Sequence, residues 1–153
     1  MSEMCNDKEF RVTLASLNPL QQREVAVMFV NHVLPLCEDK RLDRVMKIAA
    51  DAEATEEELA AALKTAHAVT FDSHARCGAE GHWSDQAGYF VARAAVAAVT
   101  PVAHSRVGGP AWQAAMSARM AHTTNLIDDV TNTQSAHTEC EWQYRALSNY
   151  LNV

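Results

Sequence analysis

The chain has 153 residues, with 13 Lys and Arg against 19 Asp and Glu, a formal charge of −6. That balance excludes an electrostatic fit to a phosphate backbone, so no nucleic acid partner is expected, and it favours a basic protein partner, because opposite potentials speed encounter. With 48% hydrophobic and 21% charged residues and only nine Gly and Pro together, the composition is that of one ordinary globular domain.

Residues 1–17 are expected to form an N-terminal arm or a short helix, and 18–153 a single helical domain. The start, MSEMCNDKEF, lacks the basic and apolar run of a secretion signal. Phe10, Val12 and Leu14 alternate as in a strand, but no later segment offers a partner strand.

The first clear helix begins at Asn18-Pro19. Asparagine caps free N–H groups, proline fits the first helical position, and Gln21 completes a reciprocal cap. Val25, Met28, Phe29, Val33 and Leu36 then recur at helical spacing, and Pro35 should kink or end the helix. A second helix is predicted over 42–52, with Leu42, Val45, Met46 and Ala49 inward. The third starts at Thr55, which forms a capping box with Glu58. It runs through Leu59, Leu63, Ala66 and Val69 towards Arg76, to be broken by Gly78 and Gly81.

The fourth helix, from Ser84 or Asp85, is apolar nearly all round and should be buried on most sides. Its alanines permit close helix approach, and Pro101 should bend it. Its most apolar part, 89–103, is too short for a membrane span and contains Arg93, so no membrane partner is expected; that arginine should face a buried carboxylate. Gly108-Gly109-Pro110 marks a stop and restart. A fifth helix carries Trp112, Ala115, Met116, Arg119 and Met120 to near Asp129. After a polar loop over 130–137, Thr138 and Glu141 suggest a capping box for a last helix with Trp142, Tyr144, Leu147 and Leu151. The reading is all-α: a compact single-domain array of about six helices, mostly antiparallel.

AVTFDSHAR (68–76) and AVTPVAHSR (98–106) match at five positions. A duplicated helical unit would produce this, and so would chance in an alanine-rich chain.

Cys5, Cys37, Cys77 and Cys140 are far apart and form no CxxC, so they are read as reduced thiols of a cytoplasmic protein. His67 and His74 are seven apart on one helix face, and His104 and His122, with Asp128 or Asp129, would complete a zinc-like set if the helices converged. HExxH and paired ExxH are absent. So are a GxSxG elbow and a phosphate-binding loop. No enzyme activity and no cofactor or metal is therefore expected; the histidines, together with Trp112, remain as an alternative ligand or metal set. Trp83, Tyr89, Trp112 and Trp142 are candidates to line a pocket between helices.

Charge is uneven. Residues 38–58 hold eight acids against four bases, whereas 86–127 hold Arg93, Arg106 and Arg119 and no acid. An acidic run serves as a solvated face with good helix caps, or as a docking surface. On the second reading Asp43, Asp51, Glu53, Glu56 and Glu57 are the partner-binding candidates.

Several segments carry a family resemblance: NHVLPLCED (31–39) with Arg41, Asp43 and Arg44 after it, AHAVTFDSHAR (66–76), ARAAVAAVTPVAH (92–104) and ECEWQYRAL (139–147). Together they resemble an all-α family of immunity proteins from bacterial polymorphic toxin systems. Val96 and Ala97 stand where that family usually has Gly-His, and Pro101 also departs from its pattern. The resemblance implies a bacterial self-protection protein that binds a cognate toxin, which the acidic composition suggests is basic, and neutralises it without catalysis. The alternative is a helical small-molecule-binding protein conferring resistance by sequestration, or a His-rich metal-binding protein. An exposed apolar helix face would make a homodimer.

Overall fold

A computed structural model describes residues 6–80, 83–128 and 137–152. Among them there is no strand. The α-helices are α1 (Asp7–Ala15), α2 (Pro19–Val33), α3 (Arg41–Ala50), α4 (Glu56–Glu80), α5 (Trp83–Val99), α6 (Gly109–Asp128) and α7 (His137–Leu151). Two short 3-10 turns, Leu34–Leu36 and Val102–His104, follow α2 and α5.

Local chemistry sets the helix ends. Asn6 Oδ1 accepts from Glu9 N at 2.9 Å and starts α1, so the alternating Phe10, Val12 and Leu14 belong to a helix that buries Phe10 and Leu14. Asn18 and Gln21 make the reciprocal cap of α2, at 2.8 and 3.0 Å. Thr55 and Glu58 do the same for α4, at 3.1 and 3.2 Å. Pro35 takes the chain out of α2 into the first 3-10 turn, and Pro101, which has no N–H to continue a helix, precedes the second.

Three expectations need correction. Gly78 does not end α4, which continues to Glu80; Gly81 and the loop at 130–136 lie outside the described residues. Thr138 is inside α7, which begins at His137, so it does not cap that helix. The AVT repeat does not mark a repeated unit. Residues 68–75 lie within α4, whereas 98–106 leave α5 and turn, because Pro101 stands where α4 has Phe71.

Helix α5 lies at the centre, against α2, α3, α4 and α6. Alanine makes this possible. Ala92, Ala94, Ala95 and Ala98 of α5 and Ala114, Ala118 and Ala121 of α6 are buried in one cluster with Val27, Val30, Val33, Leu42, Val45 and Val69. Small side chains let helix axes approach, and the branched residues of the surrounding helices fill the remaining space. A second cluster joins α1, α2, α6 and α7 through Phe10, Leu14, Val25, Phe29, Ala111, Ala115 and Leu147.

A buried polar side chain braces the second cluster. The Gln22 side chain donates to Leu14 O at 2.5 Å and accepts from Ala111 N at 3.1 Å. It thereby joins the end of α1 to the start of α6. Gly108 and Gly109 both have positive φ, 95° and 87°, and a Cβ on Gly108 would collide with the Trp112 ring. Only glycine permits this re-entry into helix.

Candidate functional site

A concavity lies where helix ends meet. Asp51 leaves α3 with extended backbone, Thr55 restarts the chain as α4, and Pro101 stops α5. Between these ends and the first turn of α2 is a cleft of about 970 Å³. Leu20, Leu59, Leu63, Val99 and Val102 line it, with Pro19, Pro101 and Pro110. Leu20 and Val102 remain 41% and 46% exposed, so the lining is open to an incoming apolar group.

Three lining residues ionise: Arg23, Glu56 and His104. Arg23 is engaged within the fold. Its Nε donates to Ala49 O at 3.0 Å and its Nη2 to Asp51 O at 2.9 Å, satisfying carbonyls that the end of α3 leaves without helical partners. Glu56, in the first turn of α4, is exposed.

Glu56 belongs to a wider acidic edge. Asp51, Glu53 and Glu57 are exposed in the same α3–α4 connection and first turn, interleaved with the lining residues Ala52, Ala54 and Glu56. Asp51 accepts from the Glu53 backbone N–H at 2.9 Å, which fixes the turn. Four of the five acidic candidates thus lie in the segment that borders the cleft, and of these Glu56 lines it. Asp43 does not: it lies in the first turn of α3, about 12 Å along the helix axis from Asp51 at 1.5 Å per residue.

The histidine set does not assemble. His67 and His74 are exposed on α4, His104 is exposed at the cleft, and His122 is half-buried on α6. Among the described residues no three of His, Cys, Asp and Glu are placed to hold a metal ion. Spacing of seven did put His67 and His74 on one face of α4, but that face points to solvent. His74 rests against Tyr89, with ring centroids 5.5 Å apart, and among the described residues buried His122 Nε2 has no hydrogen-bond partner. Asp129 lies outside the described residues.

Trp112 belongs to the second core cluster, against Phe10 at 6.2 Å and under the Arg11 guanidinium at 5.2 Å; it does not line the cleft. Arg93, expected opposite a carboxylate, lies over the Tyr89 ring at 5.8 Å, and among the described residues no carboxylate pairs with it. One turn of helix separates the two, so the ring face meets the cation locally.

Two polar constellations escaped sequence reasoning. In the first, His32 of α2 stacks on Trp142 of α7, with centroids 3.5 Å apart and planes 5° apart. Its Nδ1 hydrogen-bonds Glu139 Oε1 at 3.1 Å and lies 3.0 Å from buried Oε2, which has no hydrogen-bond partner among the described residues. In the second, Arg119 of α6 donates to both oxygens of Asp7 at 2.9 and 3.0 Å and to Gln143 Oε1 at 2.8 Å. Tyr144 donates to Asp7 at 2.7 Å.

These contacts shift the ionisations. The Arg119 hydrogen bonds hold the Asp7 carboxyl below its ordinary value. Burial, then the bond to Asp7, pushes Tyr144 up to about 12. Burial also raises the Cys140 thiol, against the opposing pull of Arg119, so this thiol is less nucleophilic than a solvent-exposed one. Both constellations tie α7 to α1, α2 and α6; neither opens on the cleft.

Within the cleft lining, sequence reasoning missed Leu20 and Val102. Leu20 lies off the buried stripe of α2, directly after a proline, and Val102 follows Pro101. An apolar side chain at a helix end beside a proline was the available signal. Comparison with protein families, curated proteins and solved structures finds no match for this chain.

Proposed function

We propose that this chain is a bacterial, cytoplasmic self-protection protein that binds a basic cognate toxin and neutralises it by occupation rather than chemistry. One observation carries the reading: four exposed carboxylates, Asp51, Glu53, Glu56 and Glu57, gather beside an open apolar cleft. Apolar surface supplies affinity, and a rim of one charge sign supplies steering and partner choice. The resemblance to immunity proteins supports the same reading. The lining offers one carboxylate, one imidazole and a guanidinium tied to backbone carbonyls, set in hydrocarbon, which suits holding a partner more than transforming one.

The test is affinity capture from the native host with wild-type protein and with an E53K/E56K/E57K variant as baits. The captured partner is then expressed in a bacterial host with each version of this chain. The expected result is a basic protein held at one-to-one stoichiometry, lost on charge reversal or at high salt, whose toxicity the wild type suppresses and the variant does not. A partner that is harmless when expressed would overturn the reading.

The cleft volume also favours a second reading. About 970 Å³ lies at the upper end of the range for small-molecule sites, as sequestration of an apolar compound would require. Native mass spectrometry of protein purified from its host separates the two, because a retained small molecule with no protein partner supports sequestration.

A further inference from the structure

Resting on that binding reading, we infer that the cleft receives a basic amphipathic helix of the partner, its apolar side chains entering between Leu20, Leu59, Leu63 and Val102 and its Lys or Arg residues meeting the acidic edge.

The lining has the form such a segment needs. Leu59 and Leu63 are one turn apart on α4, so they present a ridge along one helix rather than a round socket. Leu20 approaches from α2 and Val102 from the turn after α5, and both are substantially exposed. A helix laid in a groove offers apolar groups at every third or fourth residue, which matches a ridge of that pitch. The remaining face of the incoming helix would then lie towards Asp51, Glu53, Glu56 and Glu57.

Charge selects among occupants. The cation within the lining, Arg23, keeps its charge but is held on the Ala49 and Asp51 carbonyls, and the four carboxylates of the edge outnumber it. Exposed Lys64, next to Leu63, and exposed Arg106, two residues after His104, are the other fixed positive charges nearest in sequence to the lining, against the exposed acids Asp51, Glu53, Glu56 and Glu57. An acidic peptide or a nucleic acid would meet like charge. So would a second copy of this chain docking the same face, since two-fold association sets carboxylate against carboxylate. A purely apolar small molecule would draw no binding energy from the carboxylates.

The test uses the full chain and three synthetic peptides: a Lys/Leu helix with leucines at spacings of three and four, the same peptide with Glu for Lys, and a Lys/Leu scramble without helical spacing. Binding is read by fluorescence anisotropy, and location by methyl NMR of the labelled protein. The Lys/Leu helix should bind and shift the methyls of Leu20, Leu59, Leu63 and Val102. The other two peptides should bind about tenfold or more weakly, and E56K should weaken the first peptide several-fold. Glu56 is exposed, so that variant should fold. L20K, at a part-exposed position, provides a second folded probe and should abolish the shifts. Equal binding of helix and scramble, or shifts confined to another surface such as that around Phe71, would overturn the inference. The toxin reading is judged separately. A toxin neutralised equally well by wild type and L20K would remove the cleft from recognition while leaving self-protection intact. A cleft that takes the Lys/Leu helix in a chain that suppresses no toxin would sustain this inference and remove the toxin.

Discussion

At the level of single residues, the fold depends on a few positions where one atom decides the outcome. Gly108 is the sharpest. Its φ of 95° is disfavoured for any side chain, and a Cβ there would strike Trp112. Gly108→Ala should cost about 2 kcal/mol or more, since left-handed backbone alone costs ~1–2 kcal/mol outside glycine. Urea unfolding at neutral pH measures this, and an unchanged midpoint would contradict the account. Gln22 is the second such position. Ala111 N–H lies in the first turn of α6, where no helical acceptor exists, and Gln22 Oε1 supplies the acceptor. Gln22→Ala should destabilise the chain by roughly 1–3 kcal/mol, the usual cost of a buried unsatisfied donor. The Gly-Gly-Pro sequence announced the first of these positions. Gln22 was invisible, because its partners are 8 and 89 residues away and nothing in a sequence marks which polar residue on an apolar helix turns inward. The same holds for His32 and Glu139, which meet across 107 residues.

Among the helices, what the sequence showed well was local, and what it hid was pairwise. The Asn18–Gln21 and Thr55–Glu58 caps involve groups three residues apart, so their chemistry is complete within the motif. Thr138–Glu141 carries the same pattern, yet α7 already begins at His137; a capping box describes a start that is compatible with the chain, and neighbouring packing decides whether the helix begins earlier. Helix α7 is also where pH should act. Tyr144 and Tyr150 are both raised to about 12, chiefly by burial and then by donation to Asp7 and Glu24. A raised folded value means the neutral phenol is favoured in the fold. Its stabilisation is therefore complete below pH 10, the ordinary tyrosine value, and is lost as pH rises through about 12. Urea midpoints should fall across that window, and Tyr150→Phe should fall less steeply than wild type; identical slopes would count against the α2–α7 tie. On the acid side, Asp7 is held low by Arg119. Its contribution is present above the ordinary value of 3.8 and lost as pH falls through the lower folded one.

In the molecule as a whole, the all-α architecture was legible because apolar residues recur at helical spacing in nearly every segment, and buried alanines on α5 and α6 explain how five helices share one cluster. The candidate site was half legible. Acidic residues that cap α4 and close the α3–α4 turn are neighbours in sequence, so Asp51, Glu53, Glu56 and Glu57 were found together. Asp43 was grouped with them only because sequence proximity ignores the length of α3. The cleft draws on α2, α4, α5 and the turn after it, and no segment by itself carries that convergence. The four histidines illustrate the converse: right spacing within α4 did not bring His104 or His122 to the same place. On the proposed function, recognition belongs to the acidic, cleft-bearing end. Hydrogen–deuterium exchange of the chain, with and without its captured partner, tests it most directly. The account predicts new protection concentrated in residues 19–23, 51–63 and 98–104. Protection centred instead on the exposed face of α4 around Phe71, or on α7, with the cleft segments unchanged, would contradict it.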